Sequence, residues 1–182
     1  MRQSLLSERG YVKGDWPENE WYWSDDLPIL DAPAPDGFVI RALGDVDELP
    51  ARSWASWRAF HPDEPDEKYE GWTWYHNIQR IPQYRRDLDI VAVTPDKTIV
   101  GFCTLWLDDV TRTAMFEPVG VMPEYHGQGL GKAIMCEGMR RVQKLGATRV
   151  TVGGFSVEAN ALYRRVTGGR EHRLHEHWDK TW

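Results

Sequence analysis

The chain has 182 residues, a net charge of −6 at neutral pH, and 41% hydrophobic against 27% charged residues. One buried core suits that length, whereas the charge opposes a nucleic-acid partner and favours cationic substrates such as amines. No apolar run nears the roughly 20 residues that cross a bilayer, and the opening MRQSLLSERGYVKGDW lacks the apolar stretch of a secretory leader, so a cytoplasmic protein without a membrane partner is expected.

Residues 1–31 form an N-terminal appendage, set off from residues 32–182 by the proline-rich turn Ala32 to Gly37. The stretch Leu5 to Leu27 weakly echoes Leu162 to Trp182: a helix end, glycine, a polar strand, a turn and a Trp-containing strand. The appendage therefore reads as the tail of a preceding copy of the same domain, pairing with this sheet or across a homodimer. After the turn, Phe38 to Arg41 has strand character, and Asp45 to Glu48 offers a capping box for a helix toward Phe60. A second helix is expected over Glu67 to Gln79, with Tyr69, Trp72 and Tyr75 or His76 on one face.

Leu88 to Val93 and Ile99 to Leu107 are β-rich runs joined by so short a connection that they must form an antiparallel hairpin. A strand over Thr113 to Val121 then feeds a glycine-rich loop and a long helix whose apolar positions include Leu130, Ile134, Met139 and Val142, with Gly146 as its stop. Arg149 to Val152 reads as a strand, Ser156 to Val166 as a Ser-capped helix, and Arg170 to Trp182 as closing strands. The order predicts a mixed α/β sheet. Cys103 and Cys136 fall within a strand and a helix, as buried thiols do.

The strongest chemical signal is the loop His126-Gly127-Gln128-Gly129-Leu130-Gly131-Lys132. Glycines allow close backbone approach to a phosphate, and the free N–H groups of the first helical turn point at it. A P-loop is excluded, because His126 stands where its first glycine belongs and Ala133 where Ser or Thr would hold magnesium. The spacing G-x-G-x-G also departs from the dinucleotide fingerprint G-x-G-x-x-G. What remains is [Arg/Gln]-x-x-Gly-x-[Gly/Ala] after a strand ending V-x-P, which resembles the acyl-CoA loop of the GNAT superfamily of N-acetyltransferases. The resemblance runs from Phe38 to the C-terminus and is strongest over Phe116 to Val166; His126 departs from the usual Arg or Gln.

The resemblance implies a GNAT-type, mostly antiparallel central sheet flanked by helices, and acetyl-CoA as cosubstrate. Val119, Gly120 and Val121, the loop His126 to Lys132, and Ser156 would hold it. It implies direct transfer to an amine on a small molecule or protein, with a CoA-binding sensor or interaction module as the alternative. An ordinary ammonium must lose its proton to attack, at a cost of roughly three pKa units or about 4 kcal/mol at neutral pH. In this family the base is often a carboxylate on the strand before the loop; Glu117 alone is acidic between Ala114 and Val121, and alternation would set it on the face of Val119 and Val121. The leaving thiolate wants a proton donor, and Ala159-Asn160-Ala161-Leu162-Tyr163 resembles the family helix that ends in Leu-Tyr, making Tyr163 the candidate. His172, His175 and His177 include an H-x-H pair, but no third ligand is evident and no metal is expected.

Overall fold

The computed structural model describes residues 2–181, apart from the side chains of Glu171 and His172. Among the described residues, nine strands and five α-helices follow one another in chain order: α1 (Arg2–Glu8), β1 (Val12–Lys13), β2 (Glu18–Ser24), β3 (Val39–Ala42), α2 (Leu49–Phe60), α3 (Thr73–Gln79), β4 (Asp89–Val93), β5 (Ile99–Asp108), β6 (Thr113–Val121), α4 (Leu130–Lys144), β7 (Arg149–Gly154), α5 (Val157–Val166), β8 (Glu171–His175) and β9 (Trp178–Asp179). Seven strands make one sheet in the order β3-β4-β5-β6-β7-β2-β8, antiparallel except between β6 and β7, while β1 and β9 form a separate pair. The mixed, mostly antiparallel sheet flanked by helices is thus as expected. Among the described residues no helix is long and apolar enough to cross a membrane.

Residues 18–24, within the N-terminal segment, lie inside the sheet between β7 and β8. Their alternation explains how: Trp21 and Trp23 are buried while their neighbours are partly open, so one face enters the core. The Trp21 indole donates to Asn160 Oδ1 on α5 at 2.7 Å, and that of Trp23 to the Leu27 carbonyl at 3.1 Å. These bonds satisfy the one polar group each ring carries inside.

Two local expectations change. Asp45 does not cap the helix; its carboxylate meets Arg86 instead, and Glu48 reaches back to the Gly44 N–H and to Arg41. The expected helix over Glu67 to Gln79 is broken into a single 3-10 turn, Asp66–Lys68, and α3, with Gly71 at φ +89° between them. α3 delivers Tyr75 to the core: its hydroxyl donates to the buried carboxylate of Asp89, which Arg52 and Tyr84 also reach. Arg52 is wholly buried, its guanidinium 3.8 Å above the Phe102 ring, so the pair with Asp89 joins α2 to the sheet. Gly146, at φ +94°, stops α4 as its position suggests, and Ser156 Oγ accepts the Ala159 N–H at 3.0 Å to start α5. Trp182, where the closing strands are expected to end, lies outside the described residues.

Trp23→Ala should therefore cost about 3–5 kcal/mol of unfolding free energy in urea, as for any large side chain cut from a core. A loss below about 1 kcal/mol would mean that β2 is no integral part of the sheet.

Candidate functional site

β6 and β7 run parallel from Thr113↔Arg149 to Phe116↔Val152, and there their pairing ends. Beyond that point β6 stays on β5 through Val119↔Cys103, Gly120↔Phe102 and Val121↔Gly101. The other edge of Val119 to Val121 has no strand partner among the described residues. It opens instead into a cleft of about 690 Å³ between the sheet, the glycine loop and α5.

The loop shapes one end of that cleft. Gly127 and Gly129 have φ of +76° and +84°, which side chains disfavour, and a Cβ at Gly127 would meet nothing. Gly129 is the N-cap of α4 and no side chain caps that helix, so the N–H groups of its first turn have no partner within it. The buried side chain of Leu130 anchors the turn from below, while Lys132 adds a cation at the rim. Backbone donors, a helix dipole and a cation together fit the pyrophosphate of a nucleotide cofactor. At Gly131 the missing Cβ lets Leu162 of α5 approach; a Cβ there would stand 2.9 Å from its Cδ2.

Val119, Gly120, Val121, His126, Gly127, Gly129, Leu130, Gly131, Lys132, Ser156 and Tyr163 all line this one cleft, although they come from four segments. Gln128 is exposed on the loop and does not line it. His126 also ties the loop to the end of β6, because its Nε2 lies 2.8 Å from the Val121 carbonyl, to which it must donate. Ser156 lines the cleft while its hydroxyl oxygen caps α5. Ala59 and Phe60 of α2 complete the wall, and nothing in the sequence near them marks them for it.

Glu117 needs a correction. A register shift between Cys103 and Leu105 gives β6 one extra residue, so Phe116 and Val119, three apart, share a face opposite their two partners. Glu117 lies instead with exposed Met115 on the other face, and its alternation with Val119 and Val121 does not run through the bulge. Its carbonyl accepts the Trp106 indole N–H at 2.6 Å. Surrounding protein raises the Glu117 pKa above the usual carboxylate range, and Glu18 on β2 raises it further. Tyr163 is buried, and burial, followed by the charge of Glu117, raises its phenol to about 12. It is protonated at neutral pH and able to donate. Cys103, also buried, has its thiol held protonated by burial.

The histidines near the C-terminus serve elsewhere. His175 meets Glu20 at 2.8 Å and His177 stacks on Trp16, so the pair is not spread along one strand face; the His172 side chain lies outside the described residues. No group of three metal-ligating side chains is present among the described residues.

The model of the acetyltransferase (GNAT) family matches residues 47–168. A GCN5-related N-acetyltransferase from Sphaerobacter thermophilus superposes with a TM-score of 0.75 at 22% identity, over 98% of this chain and 55% of that one. A tandem GNAT protein from the clavulanic acid biosynthesis pathway gives 0.73 at 13%, over 97% and 57%. A GNAT family acetyltransferase from Brucella melitensis in complex with acetyl-CoA gives 0.56 at 19%, over 79% and 89%. The chain thus spans little more than half the length of the first two, and the likeness to all three is one of fold. No curated protein matches the sequence.

Because Glu117 is easier to protonate in the folded state than in the unfolded one, its charge lowers stability as pH rises through that interval. Glu117→Gln should then be no more stable than the parent near pH 4 and more stable at pH 7, by up to about 1 kcal/mol for so open a group. Equal pH dependence of the two proteins in urea unfolding would contradict the raised pKa.

Proposed function

The chain belongs to the acetyltransferase (GNAT) family, and we propose that it transfers the acetyl group of acetyl-CoA directly to a primary amine of a small molecule or a protein. The observation that carries this reading is the convergence, on the cleft where β6 leaves β7, of an uncapped glycine loop with a protonated tyrosine, and beside it a carboxylate of raised pKa. The α4 N-terminus and Lys132 suit the pyrophosphate. The free edge of Val119 to Val121 offers amides and carbonyls to the rest of the donor, and the structure bound to acetyl-CoA from Brucella melitensis has the same fold.

In this scheme Glu117 takes a proton from the ammonium through a water molecule. The amine nitrogen attacks the thioester carbonyl carbon, the new C–N bond forms, and the C–S bond breaks as the intermediate collapses. Tyr163 gives its proton to the departing thiolate and regains one from the nitrogen, which sheds its second proton as the neutral amide forms. The raised pKa of Glu117 brings it nearer the amine it must deprotonate, as Brønsted behaviour favours. Direct transfer is supported by the state of both cysteines: each is buried, and burial raises its pKa, so neither is poised as a nucleophile.

Residues 1–31 we read as the closing strands of a second unit of the same fold, in keeping with β2 standing between β7 and β8 while β9 pairs with β1 rather than with the main sheet. In one reading that second unit is another copy of the chain.

Release of free thiol from acetyl-CoA in the presence of a panel of primary amines tests the transfer. Glu117→Gln and Tyr163→Phe should each lower kcat about a hundredfold, leaving the KM for acetyl-CoA nearly unchanged. In the parent, kcat/KM should rise with pH along a limb lying above the ordinary carboxylate range, and Glu117→Gln should lose that limb. Thiol release that neither variant slows would remove both residues from the chemistry, and no release with any amine would leave a CoA-binding module as the better account.

A further inference from the structure

A carboxylate from the N-terminal strand stands beside the site just described. Glu18 opens β2, with its Cα opposite His175 on β8 and the next residue, Asn19, opposite Gly154 on β7. Its side chain lies across Gly153: a Cβ added there would overlap the Glu18 carboxylate. Gly153 follows Val152 just as Glu117 follows Phe116, and Phe116↔Val152 is the last pair before the two strands separate. Glu18 therefore reaches the mouth of the gap at the level of Glu117. Its charge is close enough to help raise both Glu117 and Tyr163.

Neither carboxylate has an ion-pair or hydrogen-bond partner among the described residues, whereas Glu20, two residues along the same strand, meets His175. Two like charges facing one gap without a cation destabilise the protein alone and favour a cationic guest. A single amine satisfies only half of this arrangement. Once it has yielded its proton through Glu117, Glu18 still lacks a counter-charge. The indole of Trp106, bonded to the Glu117 carbonyl and 6.3 Å from the Tyr84 ring, supplies an aromatic wall on the same side, of the kind that accepts ammonium groups.

We propose that Glu18 is a specificity-determining residue of the acceptor site, binding the second ammonium of a diamine whose first amino group is placed at Glu117. The inference rests on the transferase reading for the position of the reacting amine. It adds that the acceptor is a dication and that the N-terminal strand selects it.

Calorimetric titration of the full chain with 1,4-diaminobutane and with n-butylamine, each with and without CoA, tests this. The diamine should bind about tenfold more tightly than the monoamine, the size of one hydrogen-bonded charge contact in a partly open site. Glu18→Gln, which keeps shape and removes charge, should erase that preference and leave CoA binding unchanged. Gly153→Ala, which displaces the carboxylate from the neighbouring strand, should do the same, and Glu20→Gln should keep the preference. Equal binding of the two amines by the parent, no binding of either, or a preference that survives Glu18→Gln would overturn the proposal. The preference is read without CoA as well, so a failure of CoA to bind tells against the transferase reading, while the two amines alone still decide the role of Glu18.

Discussion

The parting of two parallel strands after Phe116 and Val152 is the constraint on which the rest of this molecule depends. A sheet normally pairs every backbone group with a neighbour, and an interior edge left open must find another partner. Here the open edge runs through Val119 to Val121, and the loop that follows turns back so that His126 holds the Val121 carbonyl. The same parting leaves room for α5 to bring Tyr163 up beside the gap. Glycine at 131 and 154 allows the approach, since a Cβ at either would crowd Leu162 or Asn160 and Tyr163. Cleft, loop and tyrosine are consequences of one interrupted ladder.

That interruption has to be stabilised elsewhere, and β2 contributes much of the support. It completes the pairing of β7 on the side away from the gap, with a register of six residues from Asn19↔Gly154 to Ser24↔Arg149. Trp21 and Trp23 extend the core beneath α5, and Arg170 anchors the end of the strand through Ser24 and Asp26. On the other flank the buried Arg52–Asp89 pair, with Tyr75 and Tyr84 around it, fixes α2 and α3 against β4 and β5. Burying such a pair is costly unless its bonds are made: Arg52, Tyr75, Tyr84 and Thr104 all donate to Asp89, while Arg52 Nη1 has no hydrogen-bond partner among the described residues and its guanidinium rests on the Phe102 ring. The gap thus lies between two packed flanks, the tryptophans of β2 on one side and the Arg52–Asp89 cluster on the other.

Much of this is legible in the amino-acid sequence alone. The hairpin of β4 and β5, the strand leading into the glycine loop, the stop at Gly146 and the Ser156 cap are set by neighbours within a few residues, and local chemistry reports them directly. That the glycine loop opens a long helix whose first turn no side chain caps follows from the same short range. The place of β2 is different in kind. Alternating Trp residues announce a strand with one buried face, but its neighbours β7 and β8 lie well over a hundred residues away in the chain, and no local pattern names them. Glu117 shows the same limit at smaller scale: one extra residue in β6 reverses the faces beyond it, and a bulge leaves no mark in alternation counted along a single strand. Glu18 stands out in the sequence only as a carboxylate opening an aromatic strand; the sheet order is what brings it to Glu117.

Everything proposed for the chemistry rests on the uncapped turn at Gly129 being a binding site for the pyrophosphate of acetyl-CoA. Calorimetric titration of the purified chain with acetyl-CoA, in parallel with Gly129→Glu, addresses this most directly. Micromolar binding by the parent is expected, with its loss in the variant, where a carboxylate fills the space and reverses the charge at the helix N-terminus. Absence of binding by the parent, or equal binding by both, would contradict it.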